Sequence, residues 1–99
     1  MFTVIYHPEA EEEVLEAARF YNRRVPGLGA DFLQELNQGV TWMLEHPARW
    51  RKFEADFRRY AVKRFPYAII YRIESDSIRV LAIAHLSRHP DYWKHRKWT

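Results

Sequence analysis

At Phe57 the spacing of apolar residues along this 99-residue chain changes. Before it they recur at helical intervals: Ala10, Val14, Ala17, Ala18 and Tyr21, then Phe32, Leu36, Val40, Met43 and Leu44. After it three segments of β-branched, aromatic and alternating residues follow, FRRYAVKR, YAIIYRI and SIRVLAIAHL. A pattern with helical period does not settle as a strand, so the two halves must form different layers. Strands grouped after helices place the chain in the α+β class.

The punctuation refines this. FTVIYH, residues 2–7, reads as an opening strand. Pro8 suits the first turn of a helix, and the acids of EAEEE sit at its positive end. VPGLGAD, Val25 to Asp31, reads as a turn. The second helix stops at His46-Pro47. With so short a link the two helices form an antiparallel hairpin. Ala48 to Asp56 reads as a loop. The links at Phe65-Pro66 and Glu74–Ser77 are short enough for β-hairpins. After Pro90, PDYWKHRKW reads as one helical turn. The expected architecture is a four-stranded, mostly antiparallel sheet with a helical hairpin on one face and a short C-terminal helix. Residues 1–99 form a single domain.

Simple registers through the two hairpins sort the side chains. One face carries Tyr60, Val62, Tyr67, Ile69, Tyr71, Ile73, Ile78, Val80, Ala82 and Ala84, and packs on the helices. The other carries Arg59, Ala61, Lys63, Ala68, Ile70, Arg72, Arg79, Leu81, Ile83 and His85, apolar at its centre and basic at its ends, with no carboxylate among them. Three arginines on neighbouring strands repel one another. They make sense where phosphates or carboxylates visit, since the guanidinium fork binds both. The bland alternative is that each reaches solvent or pairs with a loop acid such as Glu54 or Asp56.

Charge is also divided along the chain. Residues 1–47 hold 3 Lys/Arg against 8 Asp/Glu, and residues 48–99 hold 13 against 5. A basic second half suits an anionic partner. AHLSRHPDYW, where the last strand leaves the sheet, concentrates groups able to carry a proton or stack. His85 is the best general acid or base, because imidazole ordinarily titrates near neutrality. Arg88 extends the basic face, and Tyr92 or Trp93 is placed to stack a base. The alternatives are a structural His85, a turn at His89-Pro90-Asp91 with Asp91 or Ser87 as a cap, and a Trp93 that closes the core. His7, His46 and His95 lack ligand spacing, and no cysteine is present, so neither a metal nor another cofactor is expected. The opening MFTVIYHPEA lacks the features of a signal peptide, and no run of residues suits a membrane span. A soluble, cytoplasmic protein is the expectation.

The run FRRYAVKRFPYAIIYRIESDSIRVLAIAHLSRHPDYWKHR resembles the RelE/ParE superfamily of type II toxin–antitoxin toxins. VKRFPYAIIYRIE and VLAIAHLSRHPDYW are most similar to the ParE, or plasmid-stabilisation, branch, and VIYHPEAEEEVLEAARFY fits the family's opening strand and first helix. The resemblance implies the RelE/ParE toxin fold, growth arrest through a macromolecular target, and a cognate antitoxin whose flexible segment wraps the toxin in a hetero-oligomer. ParE-like members are associated with inhibition of DNA gyrase. RelE-like members cut messenger RNA on the ribosome without a metal. On the nuclease alternative His85, Arg88 and Tyr92 carry catalysis. On either, Arg59, Lys63, Arg72 and Arg79 bind target or phosphate.

Overall fold

The computed structural model describes residues 2–98. Strand β1, Thr3–Tyr6, leads into helix α1, Pro8–Arg24, and helix α2, Leu28–Glu45. Strands β2, Lys52–Glu54, β3, Phe57–Ala61, β4, Tyr67–Glu74, and β5, Ser77–His85, complete one sheet in the order β1-β5-β4-β3-β2. The α+β class and the helical hairpin are as expected. The sheet has five strands rather than four, because Lys52–Glu54, within the expected loop, pairs with Phe57 and Arg58. β1 runs parallel to β5, and the other pairings are antiparallel. Among the described residues no helix is long and apolar enough to cross a membrane.

Local chemistry sets the helix ends. His7 caps α1, its Nδ1 accepting from Glu9 N–H at 3.1 Å, with Pro8 in the first turn. α2 starts at Leu28, earlier than the expected turn allowed. Gly27 alone makes the reversal, at φ 89°. Two glycines let layers touch. A Cβ on Gly29 would lie 2.4 Å from the Ala18 carbonyl oxygen, and one on Gly39 2.4 Å from Tyr60 Cε1. α1 therefore lies against α2, and α2 against β3. Tyr71, fully buried, donates to Pro47 O at 3.0 Å and so pins the chain leaving α2. Burial, partly offset by Arg58, pushes its phenol up to about 12.

The register holds a bulge that simple alternation misses. Tyr71 faces Val80 and Ile70 faces Ala82, which leaves Leu81 without a partner. Up to Leu81 the expected faces hold. Beyond it they exchange: Ile83 pairs with Ile69 and His85 with Tyr67 on the helix side, while Ala82 and Ala84 join Ile70 and Ala68 on the other. The cause lies in β1. It ends at Tyr6, where His7 N–H donates to Val80 O at 2.8 Å and the chain turns into α1. Past that point side chains meet the outer edge of β5: Arg96 donates to Leu81 O at 3.0 Å, and Ile83 N–H donates to Glu13 at 3.0 Å.

Both sheet faces are covered. The helices bury Phe32, Leu36, Met43, Tyr60, Ile69, Tyr71, Ile78, Val80 and Ile83. On the other face Trp93 packs with Ala68, Ile70, Leu81 and Ala82, its ring 5.1 Å from Phe57. The segment that brings Trp93 there is not a helix. Tyr92 N–H donates to His89 O, Lys94 N–H to Asp91 O and Arg96 N–H to Trp93 O, a staircase of three-residue turns.

Candidate functional site

The densest polar cluster joins the first helix to the C-terminal segment. Glu13, with a side chain 12% exposed, takes both guanidinium nitrogens of Arg96 at 2.9 Å and the Tyr92 hydroxyl at 2.6 Å, besides Ile83 N–H. Burial opposes ionisation of Glu13, and the hydrogen bonds from Arg96, Tyr92 and Ile83 outweigh it, so the carboxyl titrates below its usual 4.5. Arg96 Nε lies 2.9 Å from Glu9, a second carboxylate. Tyr92 is held between two cations, Arg88 at 3.8 Å and Arg96 at 5.1 Å from its ring centre. Its phenol is pushed well above the ordinary range, first by burial and then by the bond to Glu13 and its charge. Neither Glu13 nor Arg96 stood out in the sequence as a site residue. Glu13 had a signal: three after Ala10 and four before Ala17, it shares their buried stripe, whereas Glu11 and Glu12 point away.

The structure brings some of the residues singled out from sequence together and separates the others: Arg59, His85, Arg88 and Tyr92 line one cleft of about 290 Å³, and Lys63, Arg72 and Arg79 lie outside it. Arg72 and Arg79 are cross-strand partners on the face away from the helices, and Arg59 lies on that face, farther along, opposite Ile70. That face does hold a carboxylate. Glu74 lies 3.0 Å from Arg72 Nη2 and 3.6 Å from Arg79 Nε, because β4 runs one residue into what read as a turn. The acid opposing the pair is thus Glu74, not Glu54 or Asp56; Glu54 instead holds Lys94 at 2.6 Å. Phe57 and Trp98 lie under the two guanidinium groups, 5.9 and 5.1 Å from Arg72 and Arg79.

Lys63 leaves the sheet altogether. β3 ends at Ala61, and Lys63 turns to the helix side, with Nζ 4.5 Å from the centre of the Trp42 ring. His85, on the helix side because of the bulge, sets its ring 4.9 Å from Tyr67. Its Nδ1 accepts from Ser87 N–H at 3.0 Å and lies 2.7 Å from Ser87 Oγ. Arg88 is half exposed and 3.8 Å from Glu13. His85 therefore stands at the end of the sheet, on the opposite side from Arg72 and Arg79.

Besides that cleft, and one of about 600 Å³ where His85 and Arg88 meet Arg19 and Arg23 of α1, two other surfaces are open. The first is a mainly basic, aromatic cleft of about 670 Å³ between the end of α2 and β3, lined by Trp42, Glu45, His46, Arg49, Trp50, Arg59 and Lys63. Among the described residues Arg49, Arg59 and Lys63 make no ion pair, whereas Arg72, Arg79, Arg88, Lys94 and Arg96 all do. The second is an apolar groove of about 440 Å³ beside β1, lined by Val4, Tyr6, Val14, Leu15, Leu33 and Leu36. Leu15 is 47% exposed there.

Residues 4–90 match the family model of the ParE toxin of the type II toxin–antitoxin system parDE. Among solved structures, a chain of the chromosomal ParDE toxin–antitoxin system from P. aeruginosa superposes with a TM-score of 0.76 at 16% identity, over 88% of this chain and 98% of that one. Comparison with curated proteins finds no match.

Proposed function

The chain belongs to the ParE family of type II toxin–antitoxin toxins, and from that premise we propose that it arrests growth by binding a macromolecular target, DNA gyrase, rather than by cutting RNA. The observation that carries this reading is the condition of the nuclease candidates. Tyr92 gives its proton to a hydrogen bond with Glu13, and its phenol is a weaker acid than usual. His85 lies across the sheet from Arg72 and Arg79, whose charge Glu74 answers; the cations that share a cleft with it are Arg59 and Arg88, and Arg88 faces Glu13. General acid–base catalysis needs the proton-carrying group within hydrogen-bond reach of the phosphate that the cations hold. Of the target- or phosphate-binding cations singled out from sequence, Arg59 and Lys63 make no ion pair among the described residues, and we assign them to target contact.

The antitoxin is proposed to use the other surface. Thr3 N–H donates to Asp76 O and His7 N–H to Val80 O, so alternation turns the Val4 and Tyr6 backbone groups outward along an open sheet edge. The apolar groove lies beside that edge. A flexible segment can add a strand there and seat apolar side chains against Leu15 and Leu33.

Induced expression in bacteria tests the target. Blocked supercoiling with a DNA-damage response and intact transcripts is expected. Cleaved transcripts with arrested translation would establish the ribosome-dependent messenger RNA endonuclease instead. Exchanging both Arg59 and Lys63 for Glu should relieve growth arrest at an unchanged protein level.

A further inference from the structure

We propose that the cleft between the end of β5 and the last turns of α1 binds a compact polyvalent phosphate, either inorganic or the tail of a nucleotide. The site goes beyond the target and antitoxin surfaces and uses none of their residues. Its floor is a strand edge. β1 stops at Tyr6, so it leaves the outer edge of β5 uncovered beyond Val80. Leu86 N–H donates to Pro66 O across the sheet, and alternation turns the backbone groups of Ile83 and His85 the other way. At Ile83 the protein shows what this edge holds. The Ile83 N–H, the Tyr92 hydroxyl and the Arg96 guanidinium converge on the Glu13 carboxylate. Two residues on, an outward amide and guanidinium groups meet again, with no acid from the chain between them. His85 O accepts from Arg88 N–H at 3.1 Å, and the outward His85 N–H meets no acceptor among the described residues. The His85 ring adds a second donor. Its Nδ1 accepts from Ser87 N–H, which places the proton of the neutral ring on Nε2.

The charges select the ligand. Arg19 and Arg23, one turn apart on α1, line the cleft with Arg88. Among the described residues neither α1 arginine makes an ion pair or lies over a ring, unlike Arg24, which sits 4.7 Å from the centre of Phe20. Arg88 lies 3.8 Å from Glu13, whose charge Arg96 already answers. Glu16 is the only unpaired carboxylate on the wall. One carboxylate from a ligand would leave much of this charge unanswered. A phosphate chain carries more charge and several oxygens, which guanidinium forks and amides take from different sides. The ligand must also be compact. The first half of α1 carries Glu9, Glu11, Glu12, Glu13 and Glu16, so a long polyanion leaving the cleft along the helix would meet like charge.

Titration calorimetry at low salt tests this on the purified 99-residue protein. The probes are inorganic tripolyphosphate, adenosine triphosphate, hexaglutamate and a short oligothymidylate. Tripolyphosphate should bind, and Arg19→Ala combined with Arg23→Ala should weaken it at least about tenfold, the scale of losing two charge-assisted contacts. Both positions are exposed on a helix, where alanine is well accommodated. Arg51→Ala combined with Lys97→Ala removes the same charge from exposed positions outside the cleft, and should change the affinity less than about twofold. In amide spectra of the wild-type protein the His85 N–H should shift with bound tripolyphosphate, a readout that stands if a variant fails to fold. Equal binding of the two phosphate probes identifies the phosphate chain as the whole ligand, and tighter binding of adenosine triphosphate identifies a nucleotide. Absence of tripolyphosphate binding, an unmoved His85 amide or an equal loss in the Arg51/Lys97 variant would overturn the proposal. So would hexaglutamate or oligothymidylate binding more tightly than tripolyphosphate.

Discussion

Replacing Glu13 with Ala would leave the Arg96 guanidinium, only 7% exposed, with Glu9 as its remaining carboxylate, and would leave Ile83 N–H without an acceptor. Breaking one side of such a buried pair costs about 3 kcal/mol or more. Thermal unfolding should reveal it as a large fall in Tm. The same group sets a pH dependence. Its folded-state titration lies below the unfolded value, so its contribution is complete above about pH 4.5 and is lost as the pH falls through the lowered value. Melting curves recorded from about pH 6 down to pH 3 should show this loss, and Glu13→Gln should flatten it. Tyr92→Phe separates structure from catalysis: stability should fall by about 1–2 kcal/mol while growth arrest persists. If growth arrest vanished in a protein that still melts cooperatively, the phenol would be a working group after all. Tyr92 drew attention in the sequence because it stood beside a histidine and an arginine. Its true partner is 79 residues away in the chain, and no local spacing reports such a contact.

Among the elements, the two helices, the three hairpin-linked strands and the apolar sheet face toward the helices were legible, because each follows from a local period and its breakers. The bulge was not. It depends on where β1 stops and on what reaches the edge of β5 beyond Val80, both tertiary facts. Its cost to the reading was specific: four residues of β5, Ala82 to His85, stood on the wrong face, and His85 with them. The short β2 escaped for a related reason, since three exposed residues carry no burial pattern of their own. Gly39 offers a test of the packing between α2 and β3. Alanine there gains helix propensity but drives its methyl into Tyr60, whose ring is wedged against Trp50. The clash should win, with a net loss of about 1–3 kcal/mol on chemical denaturation. On the opposite face, changing Arg72 and Arg79 to Ala should alter stability by less than about 1 kcal/mol each, since their pairs with Glu74 are partly exposed. Growth arrest should be undiminished. A marked loss would restore these two to the contact surface.

Across the whole molecule the C-terminal segment does more than finish the chain. It covers one sheet face with Trp93, neutralises Glu13 and reaches back to His7, which lies 3.1 Å from Lys97 O and 5.3 Å from the Trp98 ring. A chain ended after His89 should therefore lose cooperative melting and bind a hydrophobic dye, even though every strand and helix remains encoded. The uneven charge was visible in sequence, but its use was not, because internal pairing of Arg72, Arg79, Lys94 and Arg96 had to be known before Arg49, Arg59 and Lys63 could be seen among the unpaired cations. The parallel contact between β1 and β5 has a further consequence, in the order of events during synthesis. β1 leaves the ribosome before its neighbour β5 exists, since both helices and three strands are made between them. Contacts that join distant parts of a chain form late. A nascent copy thus has no completed sheet until Ser77–His85 has been made.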